Sequence, residues 1–524
     1  MYVNQSINLS ANYQDEEEEV TKMHKTWRFI PVLLLIGVIA GCVSEEIPIR
    51  PRPWDGCTPV PTIEPTGQTY EIQEEDKFIS DQIIVTGPED DINRVLQQMS
   101  EEFEVTPTQI RQVDMNWGEC WEKLPPEQIS VHSPAVIRVY RIESDVVLSP
   151  VDVEELIEWI DEQARLESTD VFPDHNYLIG RPPTDVEGDP DCVEGGPAGE
   201  GSATHGQRLF WDQWAFDDSG IGLLTGTGQT QVRAVDTTGK DVSVGVFDAS
   251  PFESQGGWNV PWVNSAEGAL NVCVSHPGWV TELGPSTGLT KFSDHGLFVA
   301  GLVHAVAPES QIHLIRVLND ENRGDLGTLV AALDMFITHT LEQNRGTLDG
   351  TVINLSLGIH QPERPVESLE TPLALARACG AVLVASAGND SAGARIPAAY
   401  PFVLGVAGSN INDKQACFSN TGDVAAPSGD NGPDPLLCTS MIEDCADFPD
   451  YCVVSLAMHT APESGYAYWT GTSFSAPLAS GLAALVLEKL SLDPRDVPPD
   501  EVYNRIKRGA NTAFDIIDVQ NTLQ

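Results

Sequence analysis

The chain has 524 residues, room for a large core and for more than one domain, and its 78 acidic residues against 29 basic ones give a formal net charge of −49. A surface this acidic repels nucleic acid and anionic lipid headgroups, which excludes both as partners and leaves the fold open. Ten cysteines fit export to an oxidising compartment.

The apolar stretch Phe29 to Cys42 follows Lys22, His24, Lys25 and Arg28. It is too short for a comfortable membrane span and suits the core of a signal peptide. Ile39-Ala40-Gly41-Cys42 resembles the bacterial lipobox. The resemblance implies a signal peptide over 1–41, cleavage before Cys42 and lipid on the Cys42 sulfur. The protein is then expected to be exported and held by lipid on the outer face of the cell membrane or another extracytoplasmic membrane. The acidic run Asp15 to Glu19 is foreign to the leading region of a signal peptide and points to Met23 as the true start, with an uncleaved signal anchor as the competing reading. Residues 42–76 are Pro-rich and acidic and read as a tether without a core.

Residues 77–180 read as a small α+β unit. Gln82 to Thr86 is strand-like, and Ile92, Val95, Leu96 and Met99 mark one face of a helix. Ala135 to Ile142 is strand-like again. Ser149-Pro150 starts a helix with Val153, Leu156, Ile157 and Ile160 on one face, and His175 to Ile179 is a last strand. Two helices on a small antiparallel sheet is the simplest arrangement. Residues 181–206, rich in Gly, Pro and Asp, read as an exposed linker.

From 207 to 524 the pattern becomes α/β. Val242, Val244 and Val246 lead a strand ending at Asp248, and an apolar helix runs from Gly296 to Ala305. Strands at Ile312–Leu318, Val352–Leu355 and Ala381–Ala385 alternate with helices at Leu326–Ile337 and Pro372–Cys379. Nearly all-apolar strands in such alternation predict a parallel sheet with helices on both faces. Functional residues of these sheets gather beyond the carboxyl ends of the strands, where Asp248 and Asn389 fall. Gly471-Thr472-Ser473-Phe474-Ser475-Ala476-Pro477 then leads into the apolar run Leu478 to Leu490, a loop feeding a helix that starts near Ser473.

A hydroxyl at a helix N-terminus sits among unpaired N–H groups and the positive end of the dipole, a favourable place to generate an oxyanion; a serine cap is the plain alternative. A serine nucleophile needs an imidazole to take its proton and a carboxylate to hold that imidazole. His295, within Asp294-His295-Gly296, and Asp248 are the candidates, and Asn389 in Ala387-Gly388-Asn389-Asp390 is the candidate oxyanion donor. His276, His304 and His313 lack a neighbouring motif, and no His-Glu-x-x-His is present to suggest a metallopeptidase. Cys379, in an apolar helical run, is expected to be a buried free thiol. Cys57, Cys120, Cys192, Cys273, Cys417, Cys438, Cys445 and Cys452 then remain for disulfides of unreadable connectivity, the last three as a stapled loop rather than a metal site.

Asp248, then His295-Gly296, then Gly388-Asn389, then Gly471-Thr472-Ser473 with Pro477, resembles the subtilisin-like serine peptidases in residue type, order and spacing. The related sedolisins use a carboxylate base and an oxyanion Asp, which His295 and Asn389 argue against. The resemblance runs from about Phe210 to the C-terminus, and residues 77–180 look like that family's inhibitory propeptide. It implies Asp248 as orienting carboxylate, His295 as general base and then acid, Ser473 as acylating nucleophile and Asn389 as oxyanion donor. Ser356, Leu357 and Gly358 would pair with a polypeptide substrate, and Gly388 would floor the pocket for the side chain before the scissile bond. The chemistry needs no cofactor; structural calcium is common in the family, but its ligands are unknown here. Two departures stand out: Ala249-Ser250 where the family has Thr-Gly, and Phe298 where it has a second histidine. The expected protein is a secreted, lipid-tethered serine endopeptidase made as a zymogen. Its own propeptide would inhibit it through a C-terminal end near Tyr177 to Arg181, and one cut in the linker would both activate and release it. A catalytically inactive peptide-binding module of the same fold is the alternative.

Overall fold

The computed structural model describes residues 52–53, 55–61, 77–125, 131, 135–144, 150–180, 196–198, 202–218, 220–226, 231–260, 269–276, 291–359, 365–430, 451–490, 497–511 and 514–524. The signal peptide with Cys42, most of the tether and of the linker, and Cys192, Cys438 and Cys445 lie outside them. Among the described residues no helix is long and apolar enough to cross a membrane.

In chain order, β1 (Arg52–Pro53) precedes β2 (Phe78–Gly87), α1 (Glu89–Phe103), β3 (Thr106–Val113), α2 (Cys120–Lys123), β4 (Val136–Glu143), α3 (Pro150–Glu167) and β5 (Phe172–Gly180). The short elements β6 (Gly196–Pro197), α4 (Ala203–Trp211), β7 (Leu224–Thr225) and β8 (Val232–Arg233) lead to β9 (Ser243–Asp248), β10 (Gly256–Val260), β11 (Leu270–Ser275) and α5 (His295–Val306). Next come β12 (Gln311–Arg316), β13 (Arg323–Asp325), α6 (Leu326–Gln343), β14 (Thr351–Leu355), α7 (Glu367–Ala378), β15 (Val382–Ser386), β16 (Leu404–Ser409) and β17 (Val424–Pro427). The chain closes with β18 (Val453–Leu456), β19 (Tyr466–Trp469), α8 (Thr472–Leu490), α9 (Pro499–Gly509) and α10 (Val519–Leu523).

The central sheet has the order β1-β10-β11-β12-β9-β14-β15-β16-β17. From β11 to β17 every pairing is parallel, and the edge pair β10 and β1 is antiparallel. Alternation along the strands sorts the core into two layers. Val244, Val246, Val352 and Val384 pack with the apolar side chains of α5 and α8. Phe247, Ile353, Leu355 and Leu383 pack with those of α6 and α7 on the other face. Every residue of α5 is buried, which explains why it is apolar all round rather than amphipathic.

Residues 78–180 form an antiparallel sheet, β5-β2-β4-β3, extended at the β5 edge by β13. Ile83 and Val85 face α1 and α3, while Ile84, Ile137 and Val139 join the layer around α6 and α7. The sheet therefore covers those two helices. It also caps them: Asp174 accepts from the Ser368 amide at 2.8 Å and Asn176 from the Gly327 amide at 2.8 Å, both at helix starts with unpaired N–H groups. Strand β3 is absent from the sequence expectation because Thr106-Pro107-Thr108-Gln109 carries no apolar alternation on this exposed edge.

One cysteine assignment changes. Cys379 is not a free thiol but is bonded to Cys120, 259 residues away, which joins the 78–180 sheet to the C-terminal end of α7. An apolar helical run hides a thiol equally well whether it is free or aimed at a partner, so periodicity carries no signal for this pairing. Cys57 is bonded to Cys273. Together with β1 and a hydrogen bond from the Val60 amide to Ser275 Oγ at 2.8 Å, that bridge fixes residues 52–61 to the sheet, contrary to the reading of a free tether there. Both bridges span the segment 181–206.

Burial pushes the imidazoles of His304, near Arg233, and His313, near His339, down to about 4. Between there and the ordinary value of about 6.5 the unfolded chain binds a proton on each ring that the folded chain refuses. Stability is therefore expected to fall as pH drops from 6.5 towards 4, by up to about 1.4 kcal/mol per pH unit for each ring. Thermal unfolding across that window checks it: the slope should be shallower in His313→Asn, and an unchanged slope would contradict the assignment.

Candidate active site

Asp248 is the last residue of β9 and is fully buried. His295 opens α5, and its Nδ1–H donates to Asp248 Oδ1 at 2.7 Å. The same oxygen accepts the Ala249 amide at 2.7 Å, whereas Asp248 Oδ2 has no hydrogen-bond partner among the described residues. The departure at Ala249 is visible here: a backbone N–H cradles one oxygen, and no side-chain hydroxyl reaches the other. The Ser250 hydroxyl instead accepts from the Phe252 amide within its own turn.

Gly296 lets α5 start this close to β9. A Cβ there would lie 2.0 Å from the Ala249 carbonyl oxygen and 3.0 Å from Asp248 Cβ, so any side chain would push His295 off the carboxylate. The imidazole is walled by Trp469, perpendicular at 5.5 Å, and by Phe474 at 5.3 Å. Phe298 packs on both of those rings, so the second departure is an aromatic support for the imidazole. Asp294, just before the histidine, accepts the backbone amides of Met458, His459 and Thr460 and pins the start of α5. Burial raises its carboxyl above the ordinary value despite those bonds. Asp294, Trp469 and Phe474 were not singled out from sequence; the only cue was an Asp adjoining His-Gly.

Ser473 lies in the first turn of α8, after Gly471 at φ 139°. Its hydroxyl donates to the Ser356 carbonyl at 3.2 Å, and Ser356 Oγ donates back to the Ser473 carbonyl at 2.8 Å. Asn354 continues the knot, donating to Ser356 Oγ at 3.0 Å and accepting from Ser480 Oγ at 2.9 Å. The end of β14 is thereby tied to the start of α8. The Ser473 hydroxyl makes no hydrogen bond to His295 in this state, but the adjoining Phe474 holds the start of α8 against the imidazole.

Asn389 follows β15 and faces α8. Its Oδ1 accepts from the Thr472 amide at 2.9 Å and from Thr472 Oγ1 at 2.8 Å. An amide N–H only donates, so the carboxamide orientation is settled, and Nδ2 is left as a donor away from Thr472. Gly388 adopts φ 106°, which favours glycine, and a Cβ there would lie 2.5 Å from Asn420 Nδ2. Ser356 and Leu357 are buried, and Gly358 leads to Ile359, which pairs antiparallel with Ile179 at the end of β5. The same residues of β5 pair on their other side with β13, Gly180 opposite Arg323 and Ile179 opposite Gly324. The structure thus brings Asp248 to His295, Ser473 to Ser356, and Asn389 to Thr472, with β5 lying along the edge beyond Gly358. Cys42 is outside the described residues.

The profile of the subtilase family of peptidases (peptidase S8) matches residues 239–518, more than half of the chain. This chain belongs to the subtilase family. The subtilase is 32% identical to a subtilisin-like protease of Coccidioides posadasii, over 38% of this chain and 44% of the relative. It is 32% identical to the minor extracellular protease Epr of Bacillus subtilis, over 25% of this chain and 20% of that protein. It spans less than half the length of these curated relatives. Among solved structures it is similar to a protease of Pseudoalteromonas arctica, at 23% identity and a TM-score of 0.40 over 60% of this chain and 97% of that one.

Proposed function

We propose that this subtilase is a serine endopeptidase, exported, held to a membrane by lipid on Cys42 and made as a zymogen. The observation that carries the peptidase reading is the buried 2.7 Å bond from His295 to Asp248 in a site that also holds Ser473 and Asn389. Ser473 Oγ attacks the scissile carbonyl while His295 Nε2 takes its proton; Asp248 keeps the proton on Nδ1 and stabilises the imidazolium. The tetrahedral oxyanion receives Asn389 Nδ2–H and the Ser473 amide. Collapse passes the proton from His295 to the leaving amine, and water then cleaves the ester on Ser473 with the same base. A serine-directed fluorophosphonate on the chain cut within 181–206 tests this: one adduct, on Ser473, is expected, and a folded cut chain without one would favour a peptide-binding module.

The zymogen reading rests on β5. An extended segment that pairs with both β13 and Ile359 occupies the edge where a substrate backbone would add as a strand. A cut within 181–206 lets that segment leave, and peptidase activity should rise with it. N-terminal sequencing of the fragments locates the cut, and full activity in an uncut chain would refute the zymogen reading while leaving the triad standing.

A further inference from the structure

Two glycines of the proposed substrate edge, Gly388 and Gly358, share one neighbour. A Cβ on Gly388 would lie 3.2 Å from both Cγ and Cδ of Arg395, and a Cβ on Gly358 would lie 3.8 Å from Arg395 Cβ. The Asn420 side-chain amide (2.5 Å from the first Cβ) and the Ile396 carbonyl oxygen (3.3 Å from the second) crowd these positions too, but the aliphatic stem of one arginine is the neighbour that both glycines share. Its position is fixed from several sides. The Arg395 amide donates to the Ala387 carbonyl at 2.9 Å, the Ala399 amide to the Arg395 carbonyl at 2.9 Å, and the Ile359 amide to the Ile396 carbonyl at 2.9 Å. The guanidinium forms a side-on pair with Asp390, with Nε to Oδ1 at 3.0 Å and Nη2 to Oδ2. Asn420 accepts from the amides of Asp390 and Ala392 and so holds the loop that carries both partners.

Only 12% of the arginine side chain is exposed. Burial raises the Asp390 carboxyl, but hydrogen bonds with Arg395 and Asn420 outweigh it, and the carboxyl stays ionised below its ordinary value. The pair is thus neutral as a unit. A bulky substrate side chain meets the stem, and an acidic one meets a guanidinium that is already matched. Building on the peptidase reading, we propose that Arg395, locked by Asp390, is a specificity-determining residue that restricts the position before the scissile bond to small side chains such as alanine.

Peptidyl diphenyl phosphonates that differ only at that position, with alanine, phenylalanine or glutamate, test this on the full chain after a cut at a cysteine-protease recognition sequence inserted in 181–206. Ratios of adduct formation are read, so residual shielding by β5 affects all three probes alike. The alanine probe should react about tenfold faster than the other two or more. Arg395→Ala should raise the ratio of the phenylalanine rate to the alanine rate about tenfold. Asp390→Ala, which unpairs the guanidinium, should raise the glutamate rate instead, a response that a merely structural role would not produce. Equal rates for the three probes, or ratios unmoved by Arg395→Ala, overturn the proposal alone. No adduct with any probe or with a small fluorophosphonate sinks the peptidase reading, and this proposal with it.

Discussion

Ser473→Ala should lower peptide hydrolysis by about 10⁶ in kcat while leaving the fold intact. The hydroxyl makes one long bond, 3.2 Å to the Ser356 carbonyl, and the reciprocal bond from Ser356 Oγ goes to the Ser473 backbone, which alanine retains. Loss of the hydroxyl should therefore cost about 1 kcal/mol of stability or less. On the proposed mechanism Ser473 and His295 act as a unit, so the double variant Ser473→Ala with His295→Ala should be hardly slower than either single one. Active-site titration and kcat on one peptide substrate, beside thermal unfolding, make the measurement. Comparable turnover in Ser473→Ala would remove Ser473 from the mechanism.

Asn389→Ala comes second in expected size, a loss of about 10²–10³ in kcat with KM nearly unchanged. On the proposed mechanism the donor strengthens its bond only as charge develops on the carbonyl oxygen, and its carboxamide is held before substrate arrives. Two bonds from Thr472 fix the carboxamide oxygen, so the amide pays no reorganisation when the oxyanion forms. Alanine also leaves the buried Thr472 amide without that acceptor, for a stability cost of about 1–3 kcal/mol. Kinetics must therefore be read well below the unfolding transition. Thr472→Val, which removes one of the two bonds and keeps Asn389, should give a smaller fall in kcat. A change confined to KM in Asn389→Ala would mean that the amide binds ground-state substrate.

The strands and helices that hold these residues were legible because burial on both faces writes itself as apolar runs, as in Thr351–Leu355 and Val382–Ser386. Strand ends and helix starts then placed Asp248, Asn389 and Ser473 without any knowledge of their contacts. What escaped are features set by distance in the chain. Trp469 and Phe474 read as ordinary apolar residues until they close on the imidazole. Asp294 reads as a solvent-facing acid until three amides from residues 458–460 converge on it. Arg395 reads as a loop cation until two glycines 37 and 7 positions before it prove to share its stem. The edge pair β1 and β10 belongs to the same class, because a two-residue strand has no periodicity to detect.

Two of the disulfides alter what a single cut in the chain accomplishes. Cys120–Cys379 lies on both sides of 181–206, and so does Cys57–Cys273. Hydrolysis in that segment creates two polypeptides, yet the covalent graph stays connected, and any lipid on Cys42 remains joined through Cys57 to the half that carries Ser473. Activation and release, expected as one event, become separable. On the zymogen reading, nicking would free β5 to leave the edge beside Gly358 while its sheet stays leashed at Cys120, so that inhibition would become an intramolecular equilibrium governed by effective concentration rather than by dilution. On the proposed reading, shedding into the medium then requires thiol exchange or a second cut between Cys42 and Cys57, and the protease would work at its anchor until that happens.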